Sequence, residues 1–322
     1  MNTRSVQRND LISVIMPCFN AQRFVGEAVA SVFSQSDVNV ELIAVDDGST
    51  DGSRAALQEL ARQYPGSMTV LTQDNKGPYP ARNLALKHSR GGLVAFLDAD
   101  DYWAPNCLKT LMDALRGAGA DLAYCGWQNV GTGGPGTKPY VPPRYEAGDV
   151  SALFLKGCPW PIHAAIVRRS VVDAVRGFSE RYRTSMDYDF WLRISAVTRN
   201  FVQVPEVLAF YRWHDGGQIS SVRWEQVLDS WSVRRDFIRE HPDAVAQMSR
   251  TDRRAKVDGF LLSSAYNAYW KRDLVSAQRL FRRALATGYW KLRDLRYLVP
   301  SLLPGRIYRL LLMGADRYRQ GA

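Results

Sequence analysis

Over the first half of the chain, short apolar runs alternate with longer stretches in which apolar residues recur every three or four positions. LISVIMPCF predicts a buried strand, and AQRFVGEAVASVFSQS predicts a helix with Phe24, Ala28 and Val32 on one face. VELIAVDD reads as a second strand and SRAALQELARQY as a second helix, for which Asp51 or Ser53 is the expected N-cap. MTVLTQ, PARNLALKHS, GGLVAFLD and NCLKTLMDALRGAG continue the alternation as strand, helix, strand and helix, the last ended by glycines. Strands joined by helix-length crossovers pair in parallel, so the pattern predicts an α/β fold: a Rossmann-like, mostly parallel central sheet with helices on both faces. Sheets of this kind bind ligands beyond the carboxyl ends of their strands.

Further along, VGTGGPGTKPYVPPRY (residues 130–145) is rich in Gly and Pro and predicts a loop or β-excursion bordering the acceptor side, and KGCPWPIHAAIVRR leads into another strand. His163 in that stretch is expected to be structural. Beyond Ser221 the pattern becomes helical, which divides the chain into an α/β domain (1–220) and a helical C-terminal extension (221–322). Within the extension, residues 264–288 predict two antiparallel amphipathic helices joined near Arg272 and Asp273, resembling one tetratricopeptide-like hairpin.

Charge sharpens this division. The chain carries a net +10, yet 20 Lys or Arg face 10 Asp or Glu from Ser221 onward, whereas the first 220 residues hold 22 of each. A balanced body with a basic tail predicts a catalytic domain followed by a segment that meets an anionic surface. The closing YLVPSLLPGRIYRLLLMGADRYRQ mixes Leu, Tyr and Arg; it is read either as lying on an anionic bilayer or as a helix packed on the first domain or on a second subunit of a homodimer. No recognisable reading module accompanies the basic residues, so nucleic acid is not an expected partner. Cys18, Cys107, Cys125 and Cys158 are widely spaced, without a CxxC pair, and imply neither a zinc site nor a disulfide framework. The N-terminus shows no cleavable apolar segment and no apolar run reaches the roughly 18 to 20 residues of a spanning helix, so a cytoplasmic protein, peripheral on the inner face of the plasma membrane, is expected.

Polar residues gather at three strand ends: Pro17 and Asn20 after the first strand, VDDGSTDGS after the second, and LDADDY after the fourth. One acidic strand end is ordinarily a helix cap, but three on one edge call for a ligand. Asp46 and Asp47 are suited to accept hydrogen bonds from ribose hydroxyls or a base N–H, with Gly48 and Gly52 letting the backbone turn around it. Asp98 and Asp100, two positions apart, point the same way if strand geometry persists, and hard oxygen donors of this kind suit Mg²⁺ or Mn²⁺ holding a diphosphate.

SVIMPCFN, VDDGSTDGS, NKGPYPARN, FLDADDYW and MDYDFWLRI, in that order over about residues 10 to 220, resemble the glycosyltransferase family 2 pattern on a GT-A fold. The resemblance implies an inverting enzyme that moves a sugar from a nucleotide-diphosphate donor to an acceptor hydroxyl, with Mn²⁺ or Mg²⁺ as cofactor and a glycan or lipid-linked acceptor in surface polysaccharide or lipopolysaccharide assembly. It implies that Asp47 contacts the nucleobase, that Arg82 helps hold the nucleotide, that Asp98 contacts the ribose and Asp100 the metal, and that Asp187 is the general base. His214 would approach the metal or diphosphate; read by itself it is a partly exposed loop histidine. The family often has Glu before the catalytic Asp, where this chain has Met186. That departure keeps open a non-catalytic sugar-nucleotide-binding protein of the same fold. Read by itself, Asp187 is the N-cap of the helix DFWLRISAV, with Asp189 as the rival for either role.

Overall fold

The computed structural model describes residues 10–132, 134–214 and 223–311. These fall into two compact units, one within 10–181 and 186–214, the other formed by 182–185 and 223–311.

The first unit is built on an eight-stranded sheet: β1 (Leu11–Cys18), β2 (Asn39–Asp46), β3 (Met68–Thr72), β4 (Leu93–Phe96), β5 (Tyr102–Trp103), β6 (Leu122–Gly131), β7 (Ala165–Arg168) and β8 (Phe201–Trp213), in the order β3-β2-β1-β4-β7-β6-β8-β5. The β3-β2-β1-β4 half is parallel throughout. Beyond it the sheet is mixed: β7 runs antiparallel to β4 and β6, β8 parallel to β6, and β5 antiparallel to β8. β1 is buried along nearly its whole length, as a central strand covered on both faces must be. Its register sets Cys18 opposite Asp46 and Ile15 opposite Phe96, so the acidic segments that follow β2 and β4 flank the end of β1.

Helices α1 (Val25–Phe33), α2 (Ser53–Gln63), α3 (Pro78–His88) and α4 (Cys107–Gly117) connect these strands. In α4 the buried Cys107, Leu108, Leu111, Met112 and Leu115 form one apolar stripe. Gly52, not Asp51 or Ser53, occupies the N-cap of α2; Asp51 Oδ1 instead accepts from the Ser53 N–H at 2.9 Å, a local turn that a short side chain closes more readily than a cap. α3 begins at Pro78, two residues before the expected Pro80, because proline is preorganised for the first helical turn and Gly77 takes φ 92° ahead of it. α5 (Val150–Phe154) and α6 (Arg169–Ala174) are short, and α7 (Met186–Val197) is buried on nearly all sides.

The second unit contains α8 (Arg223–Glu240), α9 (Arg250–Arg254) continued by a π-turn at Ala255–Gly259, α10 (Phe260–Trp270), α11 (Leu274–Thr287) and α12 (Leu295–Leu298). Trp231, Leu261, Ala265, Leu280, Phe281 and Leu298 are among its core residues. α10 and α11 form the expected hairpin: Arg272 takes φ 63° at the bend, and the Asp273 side chain caps α11 by accepting from Ser276 N–H at 3.1 Å. Residues 182–185 belong to this unit because Asp229 Oδ2 accepts from the N–H groups of Arg183 and Thr184 at 3.1 and 3.0 Å, and Tyr182 donates to Asp236 at 2.9 Å. Much of the tail's positive charge is spent internally. Arg234 lies 3.7 Å from the centroid of Phe260 and Arg279 4.1 Å from that of Trp224, while Arg282 donates to the carbonyl of Ser301 at 2.5 Å. Among the described residues no helix is long and apolar enough to cross a membrane. The end of the closing segment, from 312, lies outside the described residues.

Candidate active site

At the end of β2, Asp46 and Asp47 are both buried, and each is engaged with its own loop. Asp46 Oδ1 accepts from Ser49 N–H at 3.3 Å. Asp47 Oδ1 accepts from Gln73 Nε2 at 2.7 Å and Lys76 N–H at 2.9 Å, and its Oδ2 from Gly77 N–H at 2.8 Å, so this carboxylate folds the loop leading into α3. Gly48 takes φ 71° with room for no Cβ, which would lie 2.8 Å from the Asn75 nitrogen. Asn20 Oδ1 accepts from Thr50 N–H at 2.8 Å and ties the loops after β1 and β2 together. Pro17 lies inside β1, buried opposite Val45, apart from these polar groups.

The LDADDY segment does not continue β4. The strand ends at Phe96, and the Asp101 N–H donates to Asp98 O at 3.1 Å, closing a turn. Asp98 and Asp100 therefore do not share a direction as strand geometry required. Asp98 pairs with Arg82, whereas Asp100 Oδ2 lies 3.1 Å from His214 Nε2.

Arg82, the fifth residue of α3, is 3% exposed. Its guanidinium sits between the rings of Tyr79 and Phe178, at 5.2 and 5.4 Å from their centroids. Burial works against its charge, but Asp98, with Tyr79 and Asp187 behind it, outweighs that cost and holds it above its ordinary pKa. Arg82 Nε has no hydrogen-bond partner among the described residues. Asp187 stands in the first turn of α7, half-buried, with Oδ1 accepting from its neighbour's N–H, Tyr188, at 2.9 Å. Burial pushes the Asp187 carboxyl up; Arg82 and the Tyr188 N–H pull it down, and Asp98 adds to the rise. Asp189 faces elsewhere: it is buried and pairs with Arg193 Nε at 2.7 Å, one turn along α7.

The Asp100–His214 contact is a product of sheet register. β5 pairs with β8 so that Tyr102 faces Phe210, and continuing the antiparallel count brings residue 100 to the level of Arg212, beside His214. Burial, then the Asp101 and Asp98 carboxylates, push the Asp100 carboxyl up to about 7, with the His214 contact working the other way. Among the described residues no three His, Cys, Asp or Glu side chains gather into a metal cluster. One carboxylate and one imidazole nevertheless fit a diphosphate-bound Mg²⁺ or Mn²⁺, which takes few protein ligands and fills its shell with phosphate oxygens and water. A cation there would also offset the crowding of Asp98, Asp100 and Asp101.

Two residues of this region carried no specific role in the sequence reading. Asp101 was legible only as a third acid of LDADDY, and His163 only as a structural histidine; they lie 3.0 Å apart, Nδ1 to Oδ2, both buried. No local spacing signals the pair, since 62 positions separate the two residues.

A parallel half-sheet with acidic loops at its carboxyl edge, continued by a mixed half that returns His214 to that edge, defines a GT-A fold of the kind found in nucleotide-sugar glycosyltransferases. The family model described as Glycosyl transferase family 2 matches residues 13–176, and the chain belongs to that family. It is 29% identical over 233 residues to TuaG of Bacillus subtilis (strain 168), a glycosyltransferase assigned to teichuronic acid biosynthesis, covering 72% of this chain and 90% of TuaG. It is 28% identical over 239 residues to the Escherichia coli enzyme WfgD, a UDP-Glc:α-D-GlcNAc-diphosphoundecaprenol β-1,3-glucosyltransferase, covering 72% of this chain and 88% of WfgD. Among solved structures, residues 1–349 of S. aureus TarS in complex with UDP-GlcNAc share the fold, with a TM-score of 0.65 and 22% identity over 96% of this chain and 92% of that one.

Proposed function

We propose that this glycosyltransferase is an inverting, divalent-cation-dependent enzyme that moves a sugar from a nucleotide-diphosphate donor to a hydroxyl of a glycan or lipid-linked acceptor, in assembly of a surface polysaccharide. The observation that carries the reading is Arg82, one buried guanidinium in the fields of both Asp98 and Asp187. It couples a donor-side carboxylate to a carboxylate suited to take a proton. The surface-glycan and lipid-linked elements rest on the relatives TuaG and WfgD, and UDP is the first nucleotide to test because WfgD and TarS are named with UDP-sugars.

In this reading the loops held by Asn20, Asp46 and Asp47 wall the nucleoside side, with Asp47 toward the base and Asp98 toward the ribose. Pro17 supports that wall from within β1. Arg82 neutralises charge beside the nucleotide. Asp100 and His214 would hold Mn²⁺ or Mg²⁺, which would offset the negative charge that grows on the departing diphosphate. Asp187 accepts the acceptor hydroxyl's proton as the new C–O bond forms, while the bond to the nucleotide diphosphate breaks and its electron pair leaves with the phosphate oxygen. A carboxyl raised by burial is a better base for that transfer than an ordinary one. Exposed Leu302, Ile307, Leu310 and Leu311 beside Arg306 and Arg309 favour the anionic-bilayer reading of the closing segment.

The test is transfer from UDP-, GDP- and dTDP-sugars with Mn²⁺ or Mg²⁺ and with EDTA, the product's anomeric configuration being read by NMR. Inverted product formed only with the cation is expected. Retained configuration, or full turnover in EDTA, would refute the mechanism, and donor binding without turnover would favour the non-catalytic alternative kept open by Met186.

A further inference from the structure

We propose that Asp101 and His163 form a buried positioning pair that fastens the end of β8 and thereby brings His214 and Asp100 together as ligands of one divalent cation. This rests on the reading of Asp100 and His214 as cation ligands.

Asp101 is 2% exposed and His163 0%. A buried carboxylate is costly, and a pair of well-packed apolar residues often serves stability equally well or better, so stability alone gives no reason to keep this one. Its geometry supplies a reason. Asp101 Oδ1 accepts from the Arg212 N–H at 2.7 Å, while Oδ2 lies 3.0 Å from His163 Nδ1, an ion-pair contact in which neither atom has a hydrogen-bond partner among the described residues. The β5–β8 ladder is only two residues long and stops at Tyr102 opposite Phe210. Past that point the Asp101 carboxylate bonds the β5-side edge of the strand, whose other edge stays paired with β6 through Trp213.

His163 is itself held. Its carbonyl accepts from Trp103 Nε1 at 2.7 Å, and its ring stacks on Tyr211 with centroids 5.8 Å apart. The main chain of the neighbouring residue holds Arg212 as well, since Arg212 Nε donates to the Asp100 carbonyl at 2.9 Å. Arg212 is thus fastened through its main chain by Asp101 and through its side chain by Asp100, two positions before His214. The ladder with β6 fixes the register of β8; what Asp101 adds is the lateral placement of Arg212, and with it His214, against Asp100, where metal–ligand distances hold within about 0.2 Å. Partners bonded directly to ligands are typically worth about 10- to 100-fold in metal affinity, which bounds from above what a pair acting through Arg212 contributes.

The test uses the full chain. Binding of Mn²⁺ is followed by the loss of its free-ion EPR signal, alone and with UDP, GDP or dTDP, whichever the wild type binds most tightly; binding of that nucleotide in EDTA is followed by calorimetry. Asp101→Ala is expected to weaken Mn²⁺ binding up to about 10-fold while leaving metal-free nucleotide affinity unchanged. Asp101→Asn keeps an acceptor for Arg212 and should recover part of the loss. His163→Asn, which keeps a polar side chain beside the Asp101 carboxylate, should bind Mn²⁺ more tightly than His163→Leu. A purely structural role would lower the melting temperature and both affinities together, without that split, and would overturn the proposal. Wild-type Mn²⁺ affinity in folded Asp101→Ala and His163→Leu would also overturn it, while loss in Asp100→Ala left the cation site standing. Unchanged affinity in Asp100→Ala and His214→Ala would instead remove the cation site itself. Should Asp101→Ala not fold, the two His163 variants decide: equal Mn²⁺ affinity in both refutes the pair.

Discussion

The Arg82 guanidinium donates to Asp98 Oδ1 from between two aromatic rings, with almost no exposure of its own. Removing one partner of a buried ion pair strands the other charge, at a cost of about 3–5 kcal/mol when both are buried. Asp98 keeps partial solvent contact, so Arg82→Ala should cost near the lower end, about 3 kcal/mol. Arg82→Lys should restore stability better than donor affinity, because an ammonium keeps the charge and loses the planar fork. Urea denaturation alongside nucleotide titration measures both; equal recovery of the two would mean that Arg82 serves only the fold.

Asp187→Asn keeps size and hydrogen bonding and removes the basic lone pair. Donor and Mn²⁺ affinity should stay near wild type while transfer falls about 100- to 10,000-fold. Asp189→Asn is the internal control. Its partner is Arg193, so it should lower the melting temperature and leave turnover within a few-fold. The helix starts at Met186, so Asp187 lies inside its first turn and not at the N-cap; a merely structural carboxylate there would tolerate Asn with little loss of activity.

Glu41 gives the fold an acid-sensitive fastening at the opposite end of the sheet. Burial works against its ionisation, but the Arg90 N–H, the Ser13 hydroxyl and the Arg90 guanidinium outweigh it and hold the carboxyl below its ordinary value. A depressed carboxyl contributes stability that is fully present above its unfolded pKa and is lost as pH falls through the folded value. Glu41→Gln should therefore cost about 1–3 kcal/mol at pH 7 and progressively less below about pH 4. Denaturant titrations at several pH values check this, and a mutant cost that did not vary with pH would exclude the linkage.

For the closing segment the structure guides the choice of variant. Truncation from Tyr297 would remove Leu298 from the core of the second unit and strip Ser301 and Leu303 from their bonds to Gln278 and Arg282. Leu310→Glu with Leu311→Glu leaves that packing intact, and both side chains are exposed, Leu310 by 70%. The double variant should sediment with anionic vesicles several-fold less than wild type and bind donor equally well. Unchanged sedimentation would favour the packing or dimer reading of this segment.

The alternation of apolar runs and amphipathic stretches was enough to predict the parallel half of the sheet, because strand and helix periods are written locally in the chain. The hairpin at 264–288 was legible for the same reason, down to its bend at Arg272 and Asp273. Acidic residues at strand ends were visible too, since a parallel sheet sends its carboxyl ends to one edge. Their directions were not. The turn closed by Asp101 N–H and Asp98 O sends Asp98 to Arg82 and Asp100 to His214. The β5–β8 pairing joins residues more than a hundred positions apart, and neither strand announces its partner. Asp189's attachment to Arg193, the burial of His163 against Asp101, and the membership of residues 182–185 in the helical unit are of the same kind. Local periodicity determines which elements form and which way their faces turn. Which side chains meet is decided by register and close packing between distant segments, and that only the tertiary structure supplied.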